Sequence, residues 1–402
     1  MNVNKQLVLS FGLYGLGLLS FFLADLYIVA NYPSDIVTQW AFYKSTLFIA
    51  ASVCILGLDQ VIIRTPNQSK KIFIAFLVQS TLVCCILYIA STVFLTLAIS
   101  TLQLIMSVYF LSILTMISAI FRANHLLTLA QLATNGWKIA ILTCMVLSLL
   151  NVESWFTASL SILLLFSLYY LNKTKIINKT ITHNTIQESN HRNVGLAFFF
   201  HNITLVVAIY GEQMLINALG HQKTAYILYT HFVMFSSIAI SFFGFFGFYL
   251  APKIKTMDVF TLHTFKAYSV KLFIVSIALS TLSIAFGFLI YKLYYQDKGI
   301  QLEPSIIISI FIMCIARGSY TVSSICLGLF ARHETLAFTA KLNWLFMLTY
   351  LTIIYLLLTK SLPIYILFTS ISATTAIHWS VRAFVSQRYA RLALIEKEKL
   401  CV

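Results

Sequence analysis

Asp25 and Lys44 stand 19 residues apart, and a shift of 187 residues brings Glu212 into line with Asp25 and His231 into line with Lys44. All four lie in long apolar stretches. A charge at the centre of a bilayer costs about 2.5–3.5 kcal/mol on insertion scales, so such residues face a bundle interior or a wet cavity. Buried carboxyls such as Asp25 and Glu212 have the chemistry to take up and release protons or to coordinate a sodium ion. The competing reading is equally open: each forms an ion pair that fixes helix register. His231 has the intrinsic pKa for a proton step, against the plainer role of a hydrogen-bonded core histidine. His201 and His378 lack an echo in the repeat and rank below it.

Three cations complete the set. Arg317 lies near the middle of an apolar stretch and stays protonated, which suits it either to an anionic headgroup or to a buried carboxylate. Lys44 reads as cavity lining or as the partner of Asp25. Lys138 lies nearer one end of its stretch, from which its long stem can snorkel. Asp59 and Arg64 close another stretch and read first as interface anchors. A looser echo joins Phe121, Arg122, His125, Asn135 and Trp137 to Phe330, Arg332, His333, Asn343 and Trp344. No residue is assigned a catalytic role. Glycine-rich nucleotide loops, metal-ligand clusters and nucleophile elbows are absent from the sequence, so neither a metal nor a cofactor is expected.

The elements that must carry these residues are membrane helices. The chain is 60% hydrophobic and 10% charged, against roughly 45–50% and about 25% in soluble domains. A water-soluble fold would have nothing to cover its surface with. A helix needs roughly 20 apolar residues to cross the hydrocarbon, and segments of that order fall at 6–30, 39–62, 72–99, 102–120, 134–150 and 155–171. A second set follows at 194–218, 223–250, 269–293, 304–330, 342–358 and 363–381. No charge occurs between Ile72 and Phe121, a length of about 75 Å as one helix, so the chain must turn back near Ser100 and Thr101. The expectation is an all-α integral membrane protein of about twelve transmembrane helices. It divides into an N-terminal six-helix lobe at 1–171, a linker at 172–193, a C-terminal six-helix lobe at 194–385 and a tail at 386–402.

Lysine and arginine collect in alternate connecting segments. With the N-terminus inside, only Lys223, Lys292, Lys298 and Lys360 fall outside, which places both termini in the cytoplasm. An error in the span count would have scrambled this asymmetry. The first apolar segment is too long for the core of a signal peptide and reads as an uncleaved span. The net charge of +15 punctuates apolar runs instead of forming a basic face with stacking aromatics, so nucleic acid is not a partner. The seven cysteines show neither a disulfide framework nor a zinc spacing.

The order of these features resembles the Wzx-type polysaccharide flippases of the multidrug/oligosaccharidyl-lipid/polysaccharide exporter superfamily, over essentially the whole chain. The resemblance is carried by two six-span halves, by Leu56-Gly57-Leu58-Asp59-Gln60 closing with Arg64, and by Phe121-Arg122-Ala123 before the fifth span. The acidic residue of the seventh span, followed by Gly220 and Ala225-Tyr226, adds to it. It implies a V-shaped pair of lobes around a central cavity in the bacterial inner membrane. Alternating access of that cavity would carry undecaprenyl-diphosphate-linked oligosaccharide units from the cytoplasmic to the periplasmic leaflet for O-antigen or capsule assembly. Coupling to H+ or Na+ is left open. By residue type and depth the cationic cavity maps to Lys44, Lys138 and Arg317, with Asp25, Glu212 and His231 for ion coupling or intramembrane pairing. Partners implied are the lipid-linked oligosaccharide, membrane lipids and the polysaccharide polymerase machinery. The competing functions are an O-antigen polymerase or ligase, which needs a long outer loop absent here, and a cation-coupled drug exporter of the same superfamily.

Overall fold

A computed structural model describes residues 3–94, 100–147, 151–176, 191–255, 257, 260–296, 301–360 and 362–400. Most of the expected linker, including Lys179, and the outer Lys298 lie outside the described residues. The described chain is helical: α1 (Val3–Asn31), α2 (Ser34–Ile55), α3 (Leu58–Arg64), α4 (Ser69–Phe94), α5 (Thr101–Ala123), α6 (Leu127–Val146), α7 (Val152–Thr174), α8 (His191–Ala218), α9 (Gln222–Lys255), α10 (Leu262–Ile290), α11 (Pro304–Phe330), α12 (His333–Thr359) and α13 (Ile364–Leu400). In lipid only a helix satisfies every backbone N–H and C=O from within, so long apolar runs leave no alternative.

Setting aside the seven-residue α3, twelve long helices remain among the described residues, and ten are long and apolar enough to cross a membrane. The protein is therefore a multi-pass membrane protein. The two helices that fall short of that apolarity are α2 and α6. They carry Lys44 with Thr38, Ser45 and Thr46, and Lys138 with Gln131, Thr134 and Asn135. Their polarity belongs to the site they build.

The breaks have local causes. Leu56 and Gly57 take positive φ values of 49° and 72°, ending α2 and restarting the chain as α3, so the second expected span is interrupted within Leu56-Gly57-Leu58. Gly220 at φ 79° turns α8 into α9, a conformation glycine adopts without steric cost. The expected turn at Ser100 and Thr101 coincides with the start of α5. Pro304 opens α11, where its missing N–H leaves nothing unsatisfied. The described part of the expected tail, 386–400, continues α13 without a break, and Ala390 and Leu394 pack there with Leu250, Ile254, Phe260 and Leu272. Glu398 reaches the backbone N–H of Leu262 at 2.7 Å, at the start of α10.

Two compact units emerge: Met1–Asp25 with Gln39–Val206, and Leu26–Thr38 with Val207–Val402. In the first, α5 packs against α3, α4, α6 and α7; in the second, α11 packs against α9, α10 and α13. These central helices are also the most enclosed of the apolar ones. Outward-facing residues such as Val78, Leu165 and Ile377 are largely exposed, as a lipid-facing surface requires. Hydroxyls within the helices mostly donate to a carbonyl one turn back, as Ser45 does to Ala41 and Ser112 to Val108, which removes the cost of an unmet donor.

Candidate functional site

In the first unit Asp25, Lys44 and Lys138 come from α1, α2 and α6. Lys44 donates to both carboxylate oxygens of Asp25, at 2.8 Å and 2.6 Å, and Trp40 Nε1 donates to the same carboxylate at 2.9 Å. Asp25 is 6% exposed and Lys44 9%, so the sequence alternative of an ion pair is the arrangement found. The Lys44 ammonium also lies 4.4 Å from the centroid of Phe21, and the Lys138 ammonium 5.7 Å from the same ring. The Phe21 ring thus lies within cation–π range of two ammonium groups.

Lys138 does not reach along its stem for an interface. Its Nζ donates to Asn135 Oδ1 at 2.7 Å, and Asn135 Nδ2 donates to Gln131 Oε1 at 2.6 Å. Around these groups Trp40, Trp137 and Phe156 make an aromatic wall, with Phe21–Trp137 and Trp40–Phe156 centroids 5.3 Å and 4.7 Å apart. Close approach of α1 to α6 depends on Gly17: a Cβ there would sit 2.5 Å from Asn135 Cβ and 3.0 Å from its carbonyl oxygen. Gly17→Ala is therefore expected to lower stability by about 1–3 kcal/mol, read as a drop in apparent melting temperature in detergent. Gly12→Ala, with nothing within 4 Å, serves as control; equal melting for the two variants would refute the close contact.

The second unit treats the equivalent positions differently. Glu212 accepts hydrogen bonds from Tyr350 on α12 at 3.0 Å and from Thr375 on α13 at 2.5 Å. Among the described residues the ion pairs are Lys44–Asp25 and Arg332–Glu396, so Glu212 has hydroxyl donors in place of a cation. His231 is not its partner. Its Nδ1 lies 2.8 Å from the Ile227 carbonyl and its Nε2 accepts from the Glu303 backbone N–H at 3.2 Å, which fits the core-histidine alternative.

Arg317, partly exposed, lies with its guanidinium 4.6 Å from the Trp379 ring centroid, and no described carboxylate pairs with it. On the next stretch of α13, Arg382 is 1% exposed and lies 5.3 Å from the Tyr320 ring and 6.0 Å from Trp379. The sequence counts Arg382 among the inner cations beyond the last span; packing buries it instead. Tyr350, Thr375 and Trp379 were also missed. Hydroxyl and aromatic residues are too frequent in membrane helices to stand out, although Thr375, His378, Trp379 and Arg382 share spacings of three and four, which place them on one helix face. Asn135 had a visible signal in its echo with Asn343.

The described residues hold no cluster of three or more metal-ligating side chains. No protein-family model matches the chain, and no curated protein matches it. Solved structures do. A mutant of the Vibrio cholerae MATE transporter VcmN superposes with a TM-score of 0.56 at 13% identity, covering 98% of this chain and 97% of that one. A MATE protein in complex with MaL6 gives 0.56 at 11% identity, over 99% and 98%. The fold is that of the MATE transporters. It is an all-helical membrane architecture of twelve spans in two lobes, which agrees with the expected fold class. At this identity the MATE likeness speaks for the fold and leaves cargo to the side chains.

Proposed function

We propose that the chain is a flippase that moves undecaprenyl-diphosphate-linked oligosaccharides from the cytoplasmic to the periplasmic leaflet by alternating access, and not an enzyme. The observation that carries this reading is Arg317, a permanently charged guanidinium in a membrane helix, stacked on Trp379 and lacking a carboxylate partner among the described residues. A cation held at membrane depth without a counter-charge is costly and suits an anionic cargo, to which it offers paired charge-assisted donors. The MATE-like fold supports membrane transport. Lys138 is the second candidate for the diphosphate; Lys44 contributes less, because Asp25 takes its charge.

One observation favours the second reading, a cation-coupled drug exporter. Glu212 is a membrane carboxyl with two hydroxyl donors, an arrangement able to hold a proton or a cation. The same group serves a flippase as its coupling site for H+ or Na+, with Asp25 already compensated. Expression in a flippase-null strain separates the readings. Restored surface polysaccharide with unchanged drug susceptibility supports the flippase. Raised drug resistance with no polysaccharide overturns it in favour of the exporter.

A further inference from the structure

Within the second unit α12 and α13 run antiparallel, and three contacts set their register. Tyr350 Oη lies 3.2 Å from Thr375 Oγ1, the Tyr350 and His378 rings stack at 4.5 Å, and Phe338 meets Tyr389 at 5.5 Å. This register brings Asn343 level with positions 382–385, between His378 and Ser386. Asn343 lies seven residues before Tyr350, two helical turns, and so shares its face. His378, Arg382 and Ser386 follow one another at intervals of four along α13.

These side chains are buried: Asn343 is 1% exposed, Ser386 0% and His378 5%. Yet both polar atoms of the Asn343 amide, the Ser386 hydroxyl and His378 Nε2 have no hydrogen-bond partner among the described residues. Each unmet buried group costs about 1–3 kcal/mol. The echo position in the first unit lacks this deficit, since Asn135 is satisfied on both atoms by Gln131 and Lys138. Several such groups in one seam are what ordered water satisfies, a buried water making about three bonds.

The seam also leads somewhere. At one end Tyr350 and Thr375 donate to Glu212, and Tyr350 stacks on His378. At the other, α13 runs on through Arg388 and Arg391, the end that the charge distribution assigns to the cytoplasm. From Thr375 to Ser386 is about 16 Å of helix. An imidazole accepts a proton on one ring nitrogen and releases one from the other, and His378 offers Nε2 without a partner among the described residues. Of the charged and titratable groups around the seam, Arg317 and Tyr320 come from α11, Tyr350 from α12, Glu212 from α8 and Arg382 from α13. The two arginines oppose residence of a sodium ion or hydronium, so a relay there works through neutral water and imidazole.

We propose that ordered water fills the α12–α13 seam along His378, Asn343 and Ser386 and passes protons between Glu212 and the inner aqueous phase. This rests on the reading of Glu212 as a coupling site. No bond other than those to the moving protons changes: one leaves the Glu212 carboxyl into the chain as another leaves the chain at its inner end.

Two measurements on the full-length protein test it. Hydroxyl-radical footprinting, with water as the probe, is expected to oxidise His378 at a rate near that of exposed residues, while Phe260, buried in an apolar cluster, stays unmodified. Asn343→Leu with Ser386→Ala should suppress the His378 signal. Protection of His378 equal to that of Phe260 overturns the proposal. Infrared spectroscopy after a pH jump then follows the carboxylic-acid carbonyl band that disappears in Glu212→Gln. The double variant is expected to slow its exchange by about tenfold, equivalent to about 1.4 kcal/mol of barrier, and an unchanged rate overturns the relay. Absence of any such band in the native protein instead removes Glu212 as a proton site, a failure of the coupling reading and visibly a different result. Should the double variant not fold, Ser386→Ala alone is expected to slow the same band, and no change there counts against the relay.

Discussion

Replacing Lys44 with methionine is expected to destabilise the first unit by about 3–5 kcal/mol, because it strips the cation from a buried carboxylate. Asp25 receives two bonds from Lys44 and one from Trp40, and at 6% exposure water cannot replace them. Asp25→Asn should cost a comparable amount by the converse route, leaving a buried ammonium. The double replacement removes both charges, and a neutral pair of similar volume is often as stable as the ion pair it replaces. It should therefore recover most of either single loss. Denaturant titration of the detergent-solubilised protein provides the cycle, and the coupling between two sites in contact is the quantity to extract. Strictly additive losses would show that the 2.6 Å pair contributes nothing beyond its separate parts. Transport should fall in proportion to folded protein, since this pair holds α1 to α2 and its charge is already spent within the protein.

The Arg317 substitution is expected to behave in the opposite way. Arg317→Ala removes a guanidinium with no described carboxylate to abandon, so it leaves no orphaned charge and the protein should insert and fold normally. What it loses is the contact to an anionic cargo. Hydrogen bonds to charged groups contribute about 1.5–3 kcal/mol each, which corresponds to roughly ten- to hundredfold in affinity for every bond lost. Surface polysaccharide in the complemented flippase-null strain should fall to near background while the protein remains monodisperse. Arg317→Lys keeps the charge but loses the planar fork and the stacking on Trp379, a change that is not conservative at such a site, and should restore only part of the output. Full restoration by Arg317→Ala would remove Arg317 from the mechanism. The two experiments together separate a cation that builds the protein from one that serves its cargo, a distinction on which the functional proposal depends.

That distinction was only half legible in the sequence. The spacing of Asp25 and Lys44 placed them at a common depth, yet the same spacing gave Glu212 and His231 the identical expectation, and those two do not meet. Depth follows from counting residues along a helix, whereas contact depends on the rotation of each helix about its axis and on what a third helix inserts. In the second unit Tyr350 and Thr375 reach Glu212 first, and the Glu303 backbone N–H takes the His231 ring. Asn135 and Asn343 show the same division. Their echo was readable, but only packing made one fully bonded and the other the centre of an unmet polar seam.

The number and order of the long helices were determined by the sequence alone, because hydrocarbon accepts no backbone that leaves its own hydrogen bonds unmade, whereas the break that makes α3 and the extension of α13 were not. Among the described residues ten helices are long and apolar enough to cross a membrane. The other two, α2 and α6, fall short of that apolarity because they carry Lys44 and Lys138 with their polar neighbours. The tertiary structure alone decided which charges are compensated. It closed Asp25 on Lys44, left Arg317 against an indole face, and drew Arg382 from the expected inner boundary into the protein interior. The physical reason is range: hydropathy acts on each segment separately, while the fate of a buried charge depends on atoms within about 4 Å contributed by helices far away in the chain.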